Sequence, residues 1–403
     1  MKQYRELLQL NPIVRRLTLI QLISYFGTWF SNVAIYTLLV QMDVSASIIA
    51  LVASLHFLPG VIQAPFTGVL IDRIAPKVLM LFLLAVELLA TLTLLLVSDV
   101  EMLWLLYLLV MLRMSAASFY FTVEMSLLPR ILDNKSLEDA NTLHSMIWSF
   151  SYTFGMAISG LVVAFIGPYI AILLDAVFFM FSFVLLWRLT LGVKPPVVQE
   201  NFLGQFLDGF SYLKKQPKII ALLVLHSFVG FTAIDSLVVL LAKHHYATIL
   251  SVPLAIGLIH ASRALALVIG PMFLASFINM KSLLYLLLFQ GVSFILWSLY
   301  IENFYYSFVF SLLVGFAVTT LWAYTYTLIQ IHTDEAYYGR IISYNDVLFL
   351  GVSAITAFSI GLLYDNGLSL VLITQLLGVA FFVAAFYYVW IRRKYFDEKG
   401  ENV

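Results

Sequence analysis

Two arginines lie in the middle of long apolar segments, where a charge needs a specific partner. Arg113 is in one such segment, and Arg263 is in another, three residues after His260. A charge at the centre of a bilayer costs at least about 2.5–3.5 kcal/mol, so each arginine requires an acid or a wet cavity. Glu87 is the acid expected at the depth of Arg113, and Asp235 is the acid closest to Arg263 in sequence. Three roles are compatible with the position of Arg113. It forms a pair with Glu87, it contacts the substrate, or it belongs to a buried pair that is purely structural.

Proton relay is the chemistry that these groups would support. A histidine beside a buried ion pair titrates near neutral pH, and His260 shares a helix face with Arg263. The first apolar segment has Asn32 but no acid at its middle, so coupled protons are expected on Glu87 or Asp235. Asp175 lies about two turns from one end of its segment, where it is expected to reach water.

Aromatic residues make up 15% of the chain, and some occur at positions that could line an apolar cavity. Such a cavity would take an amphiphilic or apolar molecule, since few charges remain to bind a sugar or an anion. Packing between helices would explain the same residues equally well. The candidates are Trp29, Tyr36, Phe119, Tyr120, Trp148, Trp322 and Tyr326, and Asn32 is a further candidate for the cavity or for coupling.

The composition identifies the elements that hold these residues as membrane-spanning helices. Hydrophobic residues make up 62% of the 403 residues and charged residues 11%, against roughly 45–50% and 25% in soluble domains. Twelve apolar runs approach the length of about 20 residues that a span needs, and backbone in lipid must be helical or in a closed barrel. We therefore predict an all-α membrane protein with twelve transmembrane helices. The runs are 14–40, 48–70, 78–98, 102–124, 141–165, 169–190, 219–242, 252–275, 282–300, 304–328, 341–364 and 368–391.

Lysine and arginine placement predicts the orientation. With a cytoplasmic N-terminus, nearly all of these residues outside the spans fall on the cytoplasmic side, and Lys243 falls on the other. We expect a multi-pass protein of the cell (inner) membrane with both termini in the cytoplasm. Basic and acidic residues balance at 22 each, so no net field favours nucleic acid.

The longest connection divides the twelve helices into six and six. It contains Pro195 and Pro196, and then apolar residues at helical spacing from Phe202 to Leu213, followed by Lys214. This pattern is typical of a helix on a membrane surface. The predicted domains are an N-terminal half (1–190), a linker (191–218) and a C-terminal half with a tail (219–403). In transporters built from such repeats, the substrate site lies between the halves.

A polar loop after the second span carries a recognisable motif, Gly68-Val-Leu-Ile-Asp72-Arg73-Ile-Ala-Pro-Lys77. It resembles the signature loop of the major facilitator superfamily, although Ala75 and Pro76 replace the usual Gly-Arg. In a latch between the halves, Asp72 would face the N-terminus of a neighbouring helix, where its charge is favoured. Arg73 would pair with Glu124. The other expected latch residues are Gly339 and Arg340.

Short fragments along the chain resemble one branch of that superfamily, the macrolide-efflux proteins and the enterobactin exporter. This resemblance implies export from the cytoplasm, often driven by protons. The fragments include Phe26-Gly27, Ser31-Asn32, Pro59, Leu128-Pro129-Arg130, Ala140-Asn141, Leu174-Asp175-Ala176, Gly209, Tyr212-Leu213 and Gly339-Arg340.

The function expected from these observations is alternating-access export of drugs, a siderophore or a similar small molecule, with protons as the coupling ion. A lysophospholipid transporter or flippase, a metal ion exporter, and a non-transporting sensor or scaffold are the alternatives. No phosphate-binding loop or catalytic triad occurs in the sequence, so we predict no enzyme activity and no cofactor. There is no cysteine and no histidine pair at metal-binding spacing within a span, so no metal site is predicted. The expected state is a monomer.

Overall fold

The computed structural model of the chain describes residues 2–192, 202–334 and 337–396. Within these ranges, twelve segments are long and apolar enough to cross a membrane. Each overlaps one of the twelve predicted runs, so the prediction of twelve transmembrane helices is confirmed. The predicted linker residues 193–201 and the end of the C-terminal tail lie outside the described residues.

The first half of the sequence begins with the short helix α1 and continues with six spans. Span 2 consists of two helices, α3 and α4. The helices are α1 (Lys2–Leu10), α2 (Pro12–Gln41), α3 (Ala46–Ser54), α4 (Leu58–Arg73), α5 (Pro76–Leu94), α6 (Leu103–Leu127), α7 (Asn134–Phe165) and α8 (Pro168–Trp187).

The second half begins with the linker helix α9, which covers most of the amphipathic stretch predicted there. Spans 7 and 10 each consist of two α-helices. The helices are α9 (Phe202–Lys214), α10 (Pro217–Ser227), α11 (Asp235–Leu241), α12 (Val252–Leu274), α13 (Ser282–Tyr300), α14 (Phe304–Phe316), α15 (Val318–His332), α16 (Tyr338–Asp365) and α17 (Leu370–Tyr395).

The chain forms two compact units, and each takes a segment from the other half of the sequence. Unit 1 comprises residues 1–44, 66–199 and 251–261, and unit 2 comprises 45–65, 200–250 and 262–403. Unit 1 therefore includes the start of α12, where Gly257 packs against the backbone of Gly160. Unit 2 includes α3, which packs on α16 where Gly361 meets the backbone of Ala46. The predicted halves, 1–190 and 219–403, stay a prediction.

Spans 2, 7 and 10 are each interrupted between two helices. Pro59 is the second residue of α4, and because a proline has no N–H it cannot donate to the carbonyl oxygen of Leu55, four residues earlier. Between α14 and α15, the side-chain amide of Gln290 donates a hydrogen bond of 2.9 Å to the carbonyl oxygen of Val314. That carbonyl would otherwise accept from the helix backbone. Span 7 passes through a 3₁₀ segment, Phe228–Thr232, before α11 begins at Asp235.

Candidate functional site

Arg113 forms a buried ion pair with Asp175 in unit 1. Its Nη2 lies 2.6 Å from Oδ2 of Asp175, and the two side chains are 1% and 0% exposed. The ring of Phe179, one turn after Asp175 on α8, lies 5.9 Å from the guanidinium carbon. The expected direct partner, Glu87, is therefore replaced by Asp175, and Asp175 does not reach water as its sequence position predicted.

Two small residues of α2 make room for the Asp175 carboxylate and hold it. The hydroxyl of Ser31 donates a hydrogen bond to Oδ2. Gly27 lies one turn earlier, and a Cβ atom at this position would come within 2.6 Å of Oδ1. At position 27, therefore, no side chain larger than a hydrogen atom fits without displacing the carboxylate.

Glu87 adds a third ionisable group to this cluster. It is 4% exposed on α5 and interacts electrostatically with both Arg113 and Asp175. The cluster of Glu87, Arg113 and Asp175, which we call the charge cluster, contains two acids and one base. With all three groups ionised it would carry an unbalanced negative charge, and a single proton would neutralise it. The arrangement is chemically suited to binding and releasing a proton.

Unit 2 contains the second buried arginine at the interruption of span 7. The Nη2 group of Arg263 donates a hydrogen bond of 2.8 Å to the carbonyl oxygen of Thr232. Thr232 ends the 3₁₀ segment, so this carbonyl lies at the break in the helix. The expected pair between Arg263 and Asp235, which begins α11, stays a prediction.

Aromatic residues of unit 1 form a cluster that includes two of the predicted cavity residues. Trp29 packs against Tyr152, with ring centroids 4.4 Å apart, and against Trp148. The hydroxyl of Tyr152 lies 3.1 Å from Nδ1 of His260, which is fully buried. Trp148 is 39% exposed, so the cluster presents an apolar surface. Sequence reasoning missed Tyr152, which joins the predicted Trp29 to the predicted His260.

A similar cluster in unit 2 surrounds His226. Trp322 stacks on Tyr326 at 4.8 Å, and both rings meet the His226 imidazole edge-on. Nδ1 of His226 lies 2.8 Å from the hydroxyl of Thr325. Trp322 remains 37% exposed.

Three other predicted cavity residues have buried side chains. Asn32 and Tyr36 on α2 are 3% and 1% exposed, and Tyr120 on α6 is 2% exposed. Each lies within the protein core of its span, so in this conformation none offers a surface to a bound molecule.

The structure describes only part of the predicted latch. The side chain of Asp72 and the surroundings of Gly68 lie outside what the structure describes. Arg73 is exposed, whereas Glu124 is 2% exposed, and no ion pair joins these two described side chains. Their expected pairing is thus wrong in this conformation, because Glu124 points into the core. The ammonium group of Lys77 donates to the carbonyl oxygen of Trp187 at the end of α8.

Arg340 pairs with the linker helix. Its Nη1 lies 2.7 Å from Oδ2 of Asp208 on α9. Gly209 lets α9 approach α16, since a Cβ atom there would lie 3.0 Å from Cδ of Arg340. Tyr212 stacks on Tyr337 at 4.0 Å. Gly339 faces open space, so its place in a latch has no steric reason in this conformation.

Comparison with known proteins gives the same architecture. The crystal structure of the nucleoside transporter NupG matches with a TM-score of 0.70 at 14% identity, over 96% of this chain and 100% of that one. The POT family transporter PepTSo matches with a TM-score of 0.71 at 12% identity, over 95% of this chain and 98% of the other. At such low identity, these likenesses concern the fold alone.

Sequence comparison identifies the family. An uncharacterized MFS-type transporter of Bacillus subtilis (strain 168), YfiS, is 25% identical over 206 residues. That match covers 50% of this chain and 49% of the relative, about half the length of each. A family model described as Major Facilitator Superfamily matches residues 17–358, well over half of the chain. With its twelve apolar spans, the protein is a multi-pass membrane protein, and it belongs to the major facilitator superfamily.

Proposed function

We propose that this transporter exports small amphiphilic organic molecules from the cytoplasm by alternating access, in exchange for protons. The observation that carries the proposal is the charge cluster of Glu87, Arg113 and Asp175. Ionisable side chains inside a span are costly, and they mark ion or substrate pathways. Two acids against one base leave a place for one exchangeable proton, and a proton is the coupling ion that such a cluster can take up.

The two aromatic clusters support the substrate class. Trp148 and Trp322 each present a partly exposed indole within a span, and aromatic side chains with a few polar groups typify sites for organic ligands. The rings that contact these two indoles belong to Trp29, Tyr152, His226 and Tyr326. This surface favours an apolar or amphiphilic molecule such as a drug or a siderophore, and a lysophospholipid is the alternative that has the same chemistry.

The orientation is part of the proposal. The distribution of lysine and arginine favours cytoplasmic termini in the cell (inner) membrane. Arg15, Arg16 and Arg130 are exposed at the end of unit 1 that also contains the N-terminus. We refer to this end as the cytoplasmic end.

Transport by proteoliposomes under an imposed pH gradient tests the function. The purified protein is reconstituted with an acidic lumen and offered drug cations, siderophores, lysophospholipids, nucleosides and peptides. A proton antiporter accumulates its substrate in the lumen as protons leave, and the same substrate should not accumulate when the lumen is alkaline.

The control variant changes an exposed charge and leaves the buried ion pair intact. Glu101→Gln, at an exposed position before α6, should transport like the native protein, whereas Arg113→Ala should not transport. Accumulation of nucleosides or peptides alone would contradict the proposed substrate class. Accumulation that does not depend on the pH gradient would contradict proton exchange.

A further inference from the structure

A second buried acid lies at the cytoplasmic end of unit 1, outside the charge cluster. Glu124 is three residues from the end of α6 and is 2% exposed. Its Oε2 atom is buried and has no hydrogen-bond partner among the described residues. An ionised carboxylate without a partner is strongly disfavoured in a protein interior, so it takes up a proton or a counter-ion.

Glu124 faces a small cavity. The free volume is about 10 Å³, which is room for one water molecule or a similarly small ion. Leu7 of α1 belongs to the same apolar cluster as three of the lining residues, Val14, Leu128 and Ala140. The lining residues are Val14, Leu17, Thr18, Gln21, Glu124, Leu128, Ala140 and His144.

The imidazole in the cavity wall is held by hydrogen bonds. Nε2 of Gln21 contacts Nδ1 of His144, and the hydroxyl of Tyr25 lies 3.5 Å from Nε2 of the same ring. When the amide N–H donates to Nδ1, the ring is neutral and carries its proton on Nε2, an assignment made from the hydrogen bonds. A neutral imidazole supplies no positive charge to Glu124.

The described side chains around Glu124 leave a proton as its occupant. The arginines of the surrounding helices are either exposed or, in the case of Arg113, paired with Asp175. Metal cations such as Ca²⁺ and Mg²⁺ take about six or more oxygen ligands, while the polar lining consists of one hydroxyl, one amide, one imidazole and one carboxyl. A proton needs only the carboxyl itself. The exposed arginines are Arg5, Arg15, Arg16, Arg73 and Arg130, and the remaining titratable side chains are Tyr4, Glu6, Tyr25, Glu87, Tyr120, Asp139, His144 and Asp175.

Neither nearby tyrosine holds Glu124 in its ionised form. Tyr120 is one turn before Glu124 on the same face of α6, and its buried hydroxyl has no hydrogen-bond partner among the described residues. The hydroxyl of Tyr25 on α2 contacts His144. The Glu124 carboxyl therefore lies among phenols that give it no hydrogen bond, and burial in these surroundings favours its neutral form.

We propose that Glu124 is a second proton-binding site, separate from the charge cluster, at the cytoplasmic end of unit 1. Uptake forms one O–H bond on the carboxylate with a proton that solvent water gives up at this end, and release reverses the step. The role in transport rests on the proposed proton exchange, whereas the existence of the site does not.

Infrared difference spectroscopy between acid and alkaline pH tests the site without any substrate. Protonated carboxyls give a C=O band that shifts in D₂O. The native protein should show such bands from Glu87 and Glu124, and Glu124→Gln should lose one of them. Glu101→Gln, at an exposed position before α6, is the matched control and should lose no buried band. Glu124→Asp serves as a second variant if the glutamine variant does not fold, and it should shift the band rather than remove it.

The outcomes separate this inference from the proposed function. A band that is unchanged in Glu124→Gln, or one that disappears when Na⁺ is added at constant pH, would overturn the proton site. If the Glu124 band is present but transport does not depend on the pH gradient, the proton site is supported and only the proposed proton exchange is contradicted. If transport depends on protons but Glu124 shows no band, only the site fails.

Discussion

The two buried arginines make different contacts. In unit 1, Arg113 pairs with the carboxylate of Asp175, which two residues of α2 accommodate. In unit 2, Arg263 donates to the carbonyl oxygen of Thr232 at the end of a 3₁₀ segment. A buried arginine can thus hold an acid inside a span, as Arg113 does, or stabilise the backbone at a break in a helix, as Arg263 does.

The largest effect is expected from breaking the buried ion pair. Arg113→Met leaves the Asp175 carboxylate buried and unpaired, and it should cost about 3–5 kcal/mol of stability. The double variant Arg113→Met with Asp175→Leu removes both charges, and it should recover most of the thermal stability in detergent. Neither variant should transport against a pH gradient. A double variant as unstable as the single one would contradict an ion pair as the source of the effect.

A methyl group at Gly27 should have the next largest effect. In Gly27→Ala the new Cβ atom would lie 2.6 Å from Oδ1 of Asp175 and 3.0 Å from Cβ of Phe178. Overpacking of this kind costs about 1–3 kcal/mol, and it should also displace the carboxylate from Arg113. Gly351→Ala is the matched control, since its Cβ atom meets nothing within 4 Å. Gly27→Ala should unfold at a lower temperature and transport more slowly than Gly351→Ala. Equal unfolding temperatures and transport rates would contradict the close fit between Gly27 and the Asp175 carboxylate.

Removing the arginine of unit 2 should have a smaller effect on stability than breaking the ion pair of unit 1. Arg263→Met leaves the Thr232 carbonyl without this donor, a loss of about 1–3 kcal/mol for a buried group. Thermal unfolding in detergent should therefore show a smaller decrease for Arg263→Met than for Arg113→Met. A decrease as large as that of Arg113→Met would contradict the difference between the two contacts.

The smallest effect is expected at the exposed ion pair between α9 and α16. Arg340 and Asp208 are 28% and 56% exposed, and such pairs contribute about 0.2–1 kcal/mol. A double-mutant cycle with Arg340→Ala and Asp208→Ala should give a coupling energy in this range that decreases with added salt. A larger coupling energy would show that α9 is held to α16 mainly by this pair.

The sequence predicts the spans well because a hydrophobic run is a local property. It also singles out fragments that meet in the folded chain. Gly27, Ser31 and Asp175 come from three short fragments, and all three lie at the ion pair. Gly209 and Arg340 come from two more, and they pack against each other. Leu128 and Ala140 share one apolar cluster. The fragments thus mark contacts between helices.

Counting residues from the helix ends narrows the choice of a partner for Arg113 to two acids. At 1.5 Å per residue, Glu87 and Asp175 each lie about 10 Å from one end of their helices, and Arg113 lies about 15 Å from the matching end of α6. Both acids therefore lie at a depth that allows a pair with Arg113. The choice between them depends on which face of each helix meets α6, and that is a property of tertiary packing that one sequence does not determine.

The interruptions of spans 7 and 10 were not predictable for a similar reason. No proline marks either break, and in each case a side chain from another helix takes a backbone carbonyl. Gln290 on α13 bonds the Val314 carbonyl, and Arg263 on α12 bonds the Thr232 carbonyl. The break of span 2 differs, because Pro59 stands at the start of α4 and is visible in the sequence.

The central claim is that the charge cluster carries the exchanged proton, and Glu87→Gln in proteoliposomes tests it most directly. Glutamine keeps the size of the side chain and removes the titrating group. The variant should still exchange labelled for unlabelled substrate across the membrane, but it should no longer accumulate substrate in an acidic lumen. Accumulation at the native level by Glu87→Gln would contradict the account.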